Sequence, residues 1–183
     1  MSRKTARELA LRLLYAADVN ADVNTVLAKE LAAEAEKDGG GPKPAVPVCD
    51  TRMLLRETLD EISAHNFQML AKEDELYREL PNEQEQAYIG ELLCGVSEKR
   101  AELDGYITKY AVGWQLSRIA RVTRSILRLS MYEVLYMDDI PDASSINEAV
   151  DFAKTYDGTD AGSFVNGILG TFVRAVKPGK SSK

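Results

Sequence analysis

An all-helical fold of about seven helices, packed as two helical halves, is predicted by three observations. Apolar residues recur at the three- and four-residue spacing of a helix face in several segments. No convincing run alternates with the period of two that marks a half-buried strand. Proline and the glycines at 39–41, 113 and 158 fall between the periodic segments and punctuate them. At 183 residues and 45% hydrophobic content, the chain has enough apolar material to bury a core. A single domain is expected over 1–183, with halves at roughly 1–112 and 113–176 and a tail at 177–183.

The first helix is predicted over about Arg3 to Ala17, where Ala6, Leu9, Ala10, Leu13, Leu14 and Ala17 form one apolar face. Thr5 and Glu8 fit a capping box, and a start at Ser2 fits as well. Val23, Val26, Leu27 and Leu31 mark a second helix, which runs into a glycine–proline stretch at about 38–48 that reads as a surface loop. A third helix is expected from Asp50 to His65. A fourth begins after Pro81-Asn82 and continues through Leu103 and Tyr110 to near Gly113. Gly90 and Gly95 within it each cost about 1 kcal/mol relative to alanine, so close packing against a neighbour is the expected compensation.

Ile119 to Met137 is the most hydrophobic helix, apolar nearly all round from Leu127 onward, and is expected at the centre. Pro141 stops it, Ser145 and Glu148 suggest a capping box for the next helix, and Asp157-Gly158 ends that one. A last helix carries Phe164, Val165, Ile168, Leu169, Phe172 and Val173.

Charge is distributed unevenly. Arg3, Lys4, Arg7 and Arg12 against the single acid Glu8 leave +3 in the first dozen residues, so the remainder of a chain of net −6 carries −9. Cations in the first turns oppose the positive end of the helix dipole, at roughly 0.3 to 1 kcal/mol each when exposed. The arrangement therefore points to an anionic partner, with nucleic acid the first candidate. The basic side chains lie mainly off the apolar stripe and are expected to be available to solvent or a partner. A second basic stripe comprises Arg118, Arg121, Arg124 and Arg128. Arg128, on the most buried helix, reads as the partner of an acid; the other three fit either a nucleic-acid surface or bridges to glutamate-rich helices.

Catalytic and metal chemistry finds little support. His65 is the only histidine and has no triad motif around it, and the tail Pro178-Gly179-Lys180-Ser181 lacks the strand and helix of a phosphate-binding loop. Asp138, Asp139 and Asp142 read as helix termination and capping, and Asp157-Gly158-Thr159-Asp160 fails calcium-loop spacing. Cys49 and Cys94 suggest neither a disulfide framework nor a zinc site. No metal, cofactor or catalytic residue is expected. No apolar run approaches the roughly 18 to 20 residues needed to span a bilayer, and a cytoplasmic protein is expected.

Several ordered motifs carry a family resemblance. Ala6-Arg7-Glu8-Leu9-Ala10 and Leu14-Tyr15 open the chain. Trp114-Gln115-Leu116-Ser117-Arg118-Ile119, Ile126-Leu127-Arg128-Leu129, Tyr132-Glu133, Asp139-Ile140-Pro141, Ile146-Asn147-Glu148-Ala149 and Phe164-Val165-Asn166-Gly167-Ile168-Leu169 follow. Together they resemble the transcription antitermination factor NusB family, over the first helix and about Tyr88 to Val173.

The resemblance implies a non-enzymatic RNA-binding protein that pairs with ribosomal protein NusE. The pair binds single-stranded boxA-type RNA of nascent ribosomal RNA transcripts and promotes read-through within the RNA polymerase antitermination complex. It further implies RNA contacts at Arg3, Lys4 and Arg7, with Tyr15 as the adjacent aromatic, and a second contact region at Tyr156, Asp160 and Phe164. Cations would supply phosphate affinity and aromatic faces would stack on unpaired bases. The chain departs from the family pattern at Thr5, Thr123, Asp142, Ala143 and Ser163, where basic, acidic or tyrosine residues are common. Its RNA surface is thus expected to be less basic and more dependent on NusE. Core packing is the alternative for Tyr15, Tyr156 and Phe164. The rival functions are a helical protein-interaction module, a homodimer among its forms, and an RNA-binding domain of the kind attached to RNA methyltransferases, against which no glycine-rich cofactor loop is present.

Overall fold

The computed structural model describes residues 2–19 and 81–178, and these form six α-helices and one 3-10 turn. In chain order they are α1 over residues 3–19, α2 (Glu83–Glu98), α3 (Arg100–Tyr110), the turn Leu116–Arg118, α4 (Arg121–Tyr136), α5 (Asp142–Asp157) and α6 (Thr159–Val176). The helices expected around Val23 to Leu31 and Asp50 to His65, the 38–48 loop, and residues 179–183 of the tail lie outside the described residues.

The ends of the helices follow local chemistry. Ser2 Oγ accepts the Thr5 N–H at 3.1 Å, so α1 is capped at Ser2. Asn82 and Glu85 form a reciprocal capping box on α2, at 3.0 and 2.8 Å. The helix predicted to continue from Pro81 to Gly113 breaks instead at Lys99, whose φ of −94° and ψ of 10° turn the chain between α2 and α3. No glycine or proline marks this break, because it is a tertiary one: it brings Leu103 and Ile107 into the core. The capping box expected at Ser145 does not form. Helix α5 starts earlier, after Pro141, whose carbonyl accepts from the N–H groups of Ser144 and Ser145. Gly158, at φ 96°, ends α5 and starts α6, a backbone conformation that glycine adopts without strain.

Helix α4 lies at the centre. Its residues from Ser125 to Val134 are buried without interruption, matching the nearly all-round apolar pattern. Around it pack Leu9, Ala10 and Leu13 of α1, Ile89, Leu92 and Leu93 of α2, Leu103 and Ile107 of α3, Phe152 of α5 and Val165, Leu169 and Phe172 of α6. Gly95 permits the close approach of α2 to α4, since a Cβ there would overlap the Tyr132 ring.

The middle of this core is ionic. Glu133 is fully buried; its Oε1 accepts from Arg7 Nε at 2.8 Å and from the Tyr88 hydroxyl, and its Oε2 accepts from Ser145 Oγ at 2.5 Å. Helices α1, α2, α4 and α5 therefore meet on one carboxylate. A second cluster surrounds Arg128, which donates to Asp104 at 2.7 and 3.0 Å and to Asp18 at 3.4 Å, with Arg100 also paired to Asp18. This is the acid partnership expected for Arg128.

Gly95→Ala should destabilise the fold by about 1 to 3 kcal/mol despite the better helix propensity of alanine, because the buried Tyr132 ring must move; urea unfolding would measure it. Burial and the Glu133 carboxylate raise the Tyr88 pKa above its ordinary value of 10.0. The unfolded phenol ionises first, so the stability that Tyr88 contributes is present below pH 10.0 and is lost as pH rises beyond it. Thermal unfolding across that range should show the decline, and Tyr88→Phe should flatten it.

Candidate nucleic-acid interface

Helix α1 presents two different sets of basic side chains. Arg3 and Lys4 lie on its exposed first turn, whereas Arg7 is only 3% exposed and is held by Glu133. Burial disfavours the Arg7 charge, but Glu133, Tyr88 and Glu148 outweigh that and hold its pKa above the ordinary value. The expectation that the basic residues of α1 are available to a partner is therefore corrected for Arg7. It lies one turn beyond Lys4 but falls beside Ala6 and Ala10 on the packed face.

Arg3 and Lys4 make weak, exchangeable contacts. The Arg3 guanidinium stacks over the Tyr88 ring at 4.4 Å. Lys4 Nζ stands 3.4 Å from Glu148 and 3.8 Å from Asp151, as a partly exposed ion pair of the kind worth roughly 0 to 1 kcal/mol. Beside them a cleft of about 270 Å³ opens between α1 and the start of α5. Asp139 and Glu148 share its walls with Arg3, Lys4 and Arg7, so its charge is mixed.

The aromatic expectation resolves residue by residue. Tyr15 is 41% exposed on α1 and Tyr156 37% exposed on α5. Tyr156 donates to Glu8 Oε1 at 2.5 Å and accepts from Arg12 Nε at 3.2 Å, so the structure joins it directly to α1. Burial, followed by the bond to Glu8, raises its pKa and keeps the phenol neutral. Arg12 also pairs with Glu8 at 3.0 Å. Sequence reasoning counted Arg12 as a charge and missed its place in the site; its spacing of one turn from Glu8 was the available signal. Phe164 is half-buried, packed edge-on against Trp114 with ring centroids 5.3 Å apart. Asp160 is exposed in the first turn of α6, a favourable place for an acid.

The turn between α5 and α6 is fixed from two sides. Tyr156 ties it to α1, and the Thr123 hydroxyl, on α4, bonds to Asp157. Thr123 thereby serves as a donor where an acid would repel Asp157. Asp142 accepts from Lys177 at 2.7 Å. Among the described residues no group of His, Cys, Asp and Glu is arranged to hold a metal ion, and no helix is long and apolar enough to cross a membrane.

These features define an all-helical domain with an aromatic-edged face of mixed charge made of α1 and the α5–α6 turn. The profile of the NusB family matches residues 49–174, and the chain belongs to that family. It is 34% identical over 178 residues to the transcription antitermination protein NusB of Symbiobacterium thermophilum, covering 97% of this chain and 92% of that one. It is 50% identical over 93 residues to the protein of the same name from Acetivibrio thermocellus, covering 51% of this chain and 64% of the relative. A crystal structure of the antitermination factors NusB and NusE in complex with double-stranded RNA shares the fold, with TM-score 0.61 and 21% identity, covering 94% of this chain and 96% of that one.

The division within α1 is open to test by stability. Arg7→Ala leaves Glu133 buried without its cation and should cost about 3 to 5 kcal/mol. Lys4→Ala removes a pair whose lysine is exposed and whose Glu148 partner is half-buried, and should cost less, about 1 kcal/mol. Parallel urea titrations of the two variants distinguish these magnitudes.

Proposed function

We propose that the chain is a transcription antitermination factor, binding boxA-type RNA of nascent ribosomal RNA transcripts together with ribosomal protein NusE. The observation that carries this reading is the division of α1. Arg7 is explained by folding, while Arg3 and Lys4 oppose the helix dipole and hold only weak contacts that a phosphate can replace. Arg3, Lys4 and Arg12 supply charge, and Tyr15 and Tyr156 supply aromatic surface at the same face. Asp160 offers an acceptor for base amino groups, and Phe164 completes the second region. Arg7 acts by positioning α1 and not by touching RNA.

In this reading the chain works by binding and not by catalysis, as one RNA-binding domain with halves at roughly 1–112 and 113–176. It acts in the cytoplasm, where it joins the RNA polymerase antitermination complex. The complex of NusB and NusE with double-stranded RNA, in a structure of the same fold, supports NusE and RNA as partners. Lys4 shares its charge with Glu148 and Asp151, which lowers its value to RNA and fits a protein that depends on NusE for tight binding.

A boxA-like single-stranded RNA titrated across salt concentrations, with and without NusE, tests the proposal. The mixed complex should bind more tightly than the chain alone. Arg3→Gln with Lys4→Gln should weaken binding and flatten the log–log salt slope by about 1.4, at roughly 0.7 for each phosphate no longer neutralised. Unchanged affinity and slope would remove these residues from the interface.

A further inference from the structure

The arginines of the 118–128 segment part company in the structure. Arg128 is taken up by Asp104 and Asp18, but Arg118 and Arg124 pair with no carboxylate among the described residues. Among the described residues, the bridges to acidic helices that would have accounted for them are not made. Arg118 is exposed on the 3-10 turn. Arg124 is half-buried, and its Nε is buried without a hydrogen-bond partner. Both stand at the start of α4, whose first turn holds no acid and whose N-cap, Ala120, supplies no side-chain bond. Two guanidinium groups thus sit at the positive end of a helix in a chain of net −6. Cations gathered at that end of a helix favour an anion beside them.

An exposed aromatic side chain precedes Arg118 by four residues. Trp114 is 53% exposed, the most exposed ring among the described residues, and its edge-on contact with Phe164 fixes it in place. The segment is also continuous with the face already described. Trp114 touches Phe164, Thr123 holds Asp157 at the α5–α6 turn, and Tyr156 just before that turn reaches Glu8 and Arg12 of α1.

We propose that Trp114, Arg118 and Arg124 form a second RNA-contacting surface beyond the α5–α6 turn, with phosphates at the arginines and an unpaired base stacked on Trp114. The inference rests on the RNA-binding reading above and extends its path across the turn. A single strand is the fitting ligand, because stacking on a protein ring requires an unpaired base. Exposed Asp160, in the first turn of α6, repels phosphate and favours base edges at the turn.

The test uses the full chain with NusE and single-stranded boxA-like RNAs lengthened from about 8 to about 16 nucleotides. The wild type should gain affinity with length, and Arg118→Gln with Arg124→Gln should abolish the gain and flatten the salt slope of the longer RNA by about 1.4. Trp114→Ala should weaken the longer RNA by about five- to hundredfold, while Trp114→Phe retains most of its affinity and both variants keep the wild-type helical circular dichroism. If these variants bind the longer RNA like the wild type while the Arg3 and Lys4 variant is impaired, the second surface is refuted and the function stands. If they weaken only the association with NusE, the segment is a protein contact and the inference also fails. Absence of RNA binding by the wild-type complex would overturn both readings.

Discussion

A fully buried carboxylate organises this protein. Glu133 lies in the central helix and receives Arg7 from α1, Tyr88 from α2 and Ser145 from α5. An ion taken from water costs several kcal/mol unless its charge and lone pairs are met, so each of these donors has to arrive in the right place. Apolar packing tolerates small shifts of one helix along another, whereas a satisfied carboxylate does not. The cluster consequently fixes the rotation and register of α1 on α4.

The Arg128 cluster extends that control to the later turns of α1. Asp18 meets Arg128 and Arg100 about three helical turns from Arg7, on the same face of the helix. Helix α1 is pinned by a cation near one end and by an anion near the other, with Leu9, Ala10, Leu13 and Leu14 buried between them. Once that face is fixed inward, Arg3 and Lys4 are left outward, and Glu8 and Arg12 are brought to Tyr156. The exposed basic face is thus a consequence of the buried ionic one.

The α5–α6 turn is where the surface gains continuity. Gly158 permits an abrupt change of direction between two long helices, and the residues on either side of it are held by different elements. Tyr156 is tied to α1 and Asp157 to α4, while Phe164 on the following helix leans on Trp114. Segments far apart in sequence therefore share one edge of the molecule. Mixed charge along this edge, with acids at positions 151, 157 and 160 among the cations, restricts where a polyanion can pass.

Much of the fold was legible because it depends on local chemistry. The periodic apolar residues of α1, the nearly all-round burial of α4 and the break at Gly158 each follow from side-chain spacing or backbone preference, whereas α4 ends at Tyr136, ahead of the stop expected at Pro141, which opens α5 instead. The family resemblance likewise lay in contiguous motifs. Less was legible of the site, since contacts between distant segments leave no local signature. The turn at Lys99, the burial of Ser145, the union of Arg12 with Tyr156 and the isolation of Arg124 all depend on which helices lie alongside. Arg7 shows the limit most plainly. The sequence by itself determined that a basic, amphipathic helix opens the chain and that a hydrophobic helix lies at its centre. Only the tertiary structure decided which of the basic side chains faces solvent, because the buried Glu133 carboxylate requires a cation and Arg7 alone of them meets it.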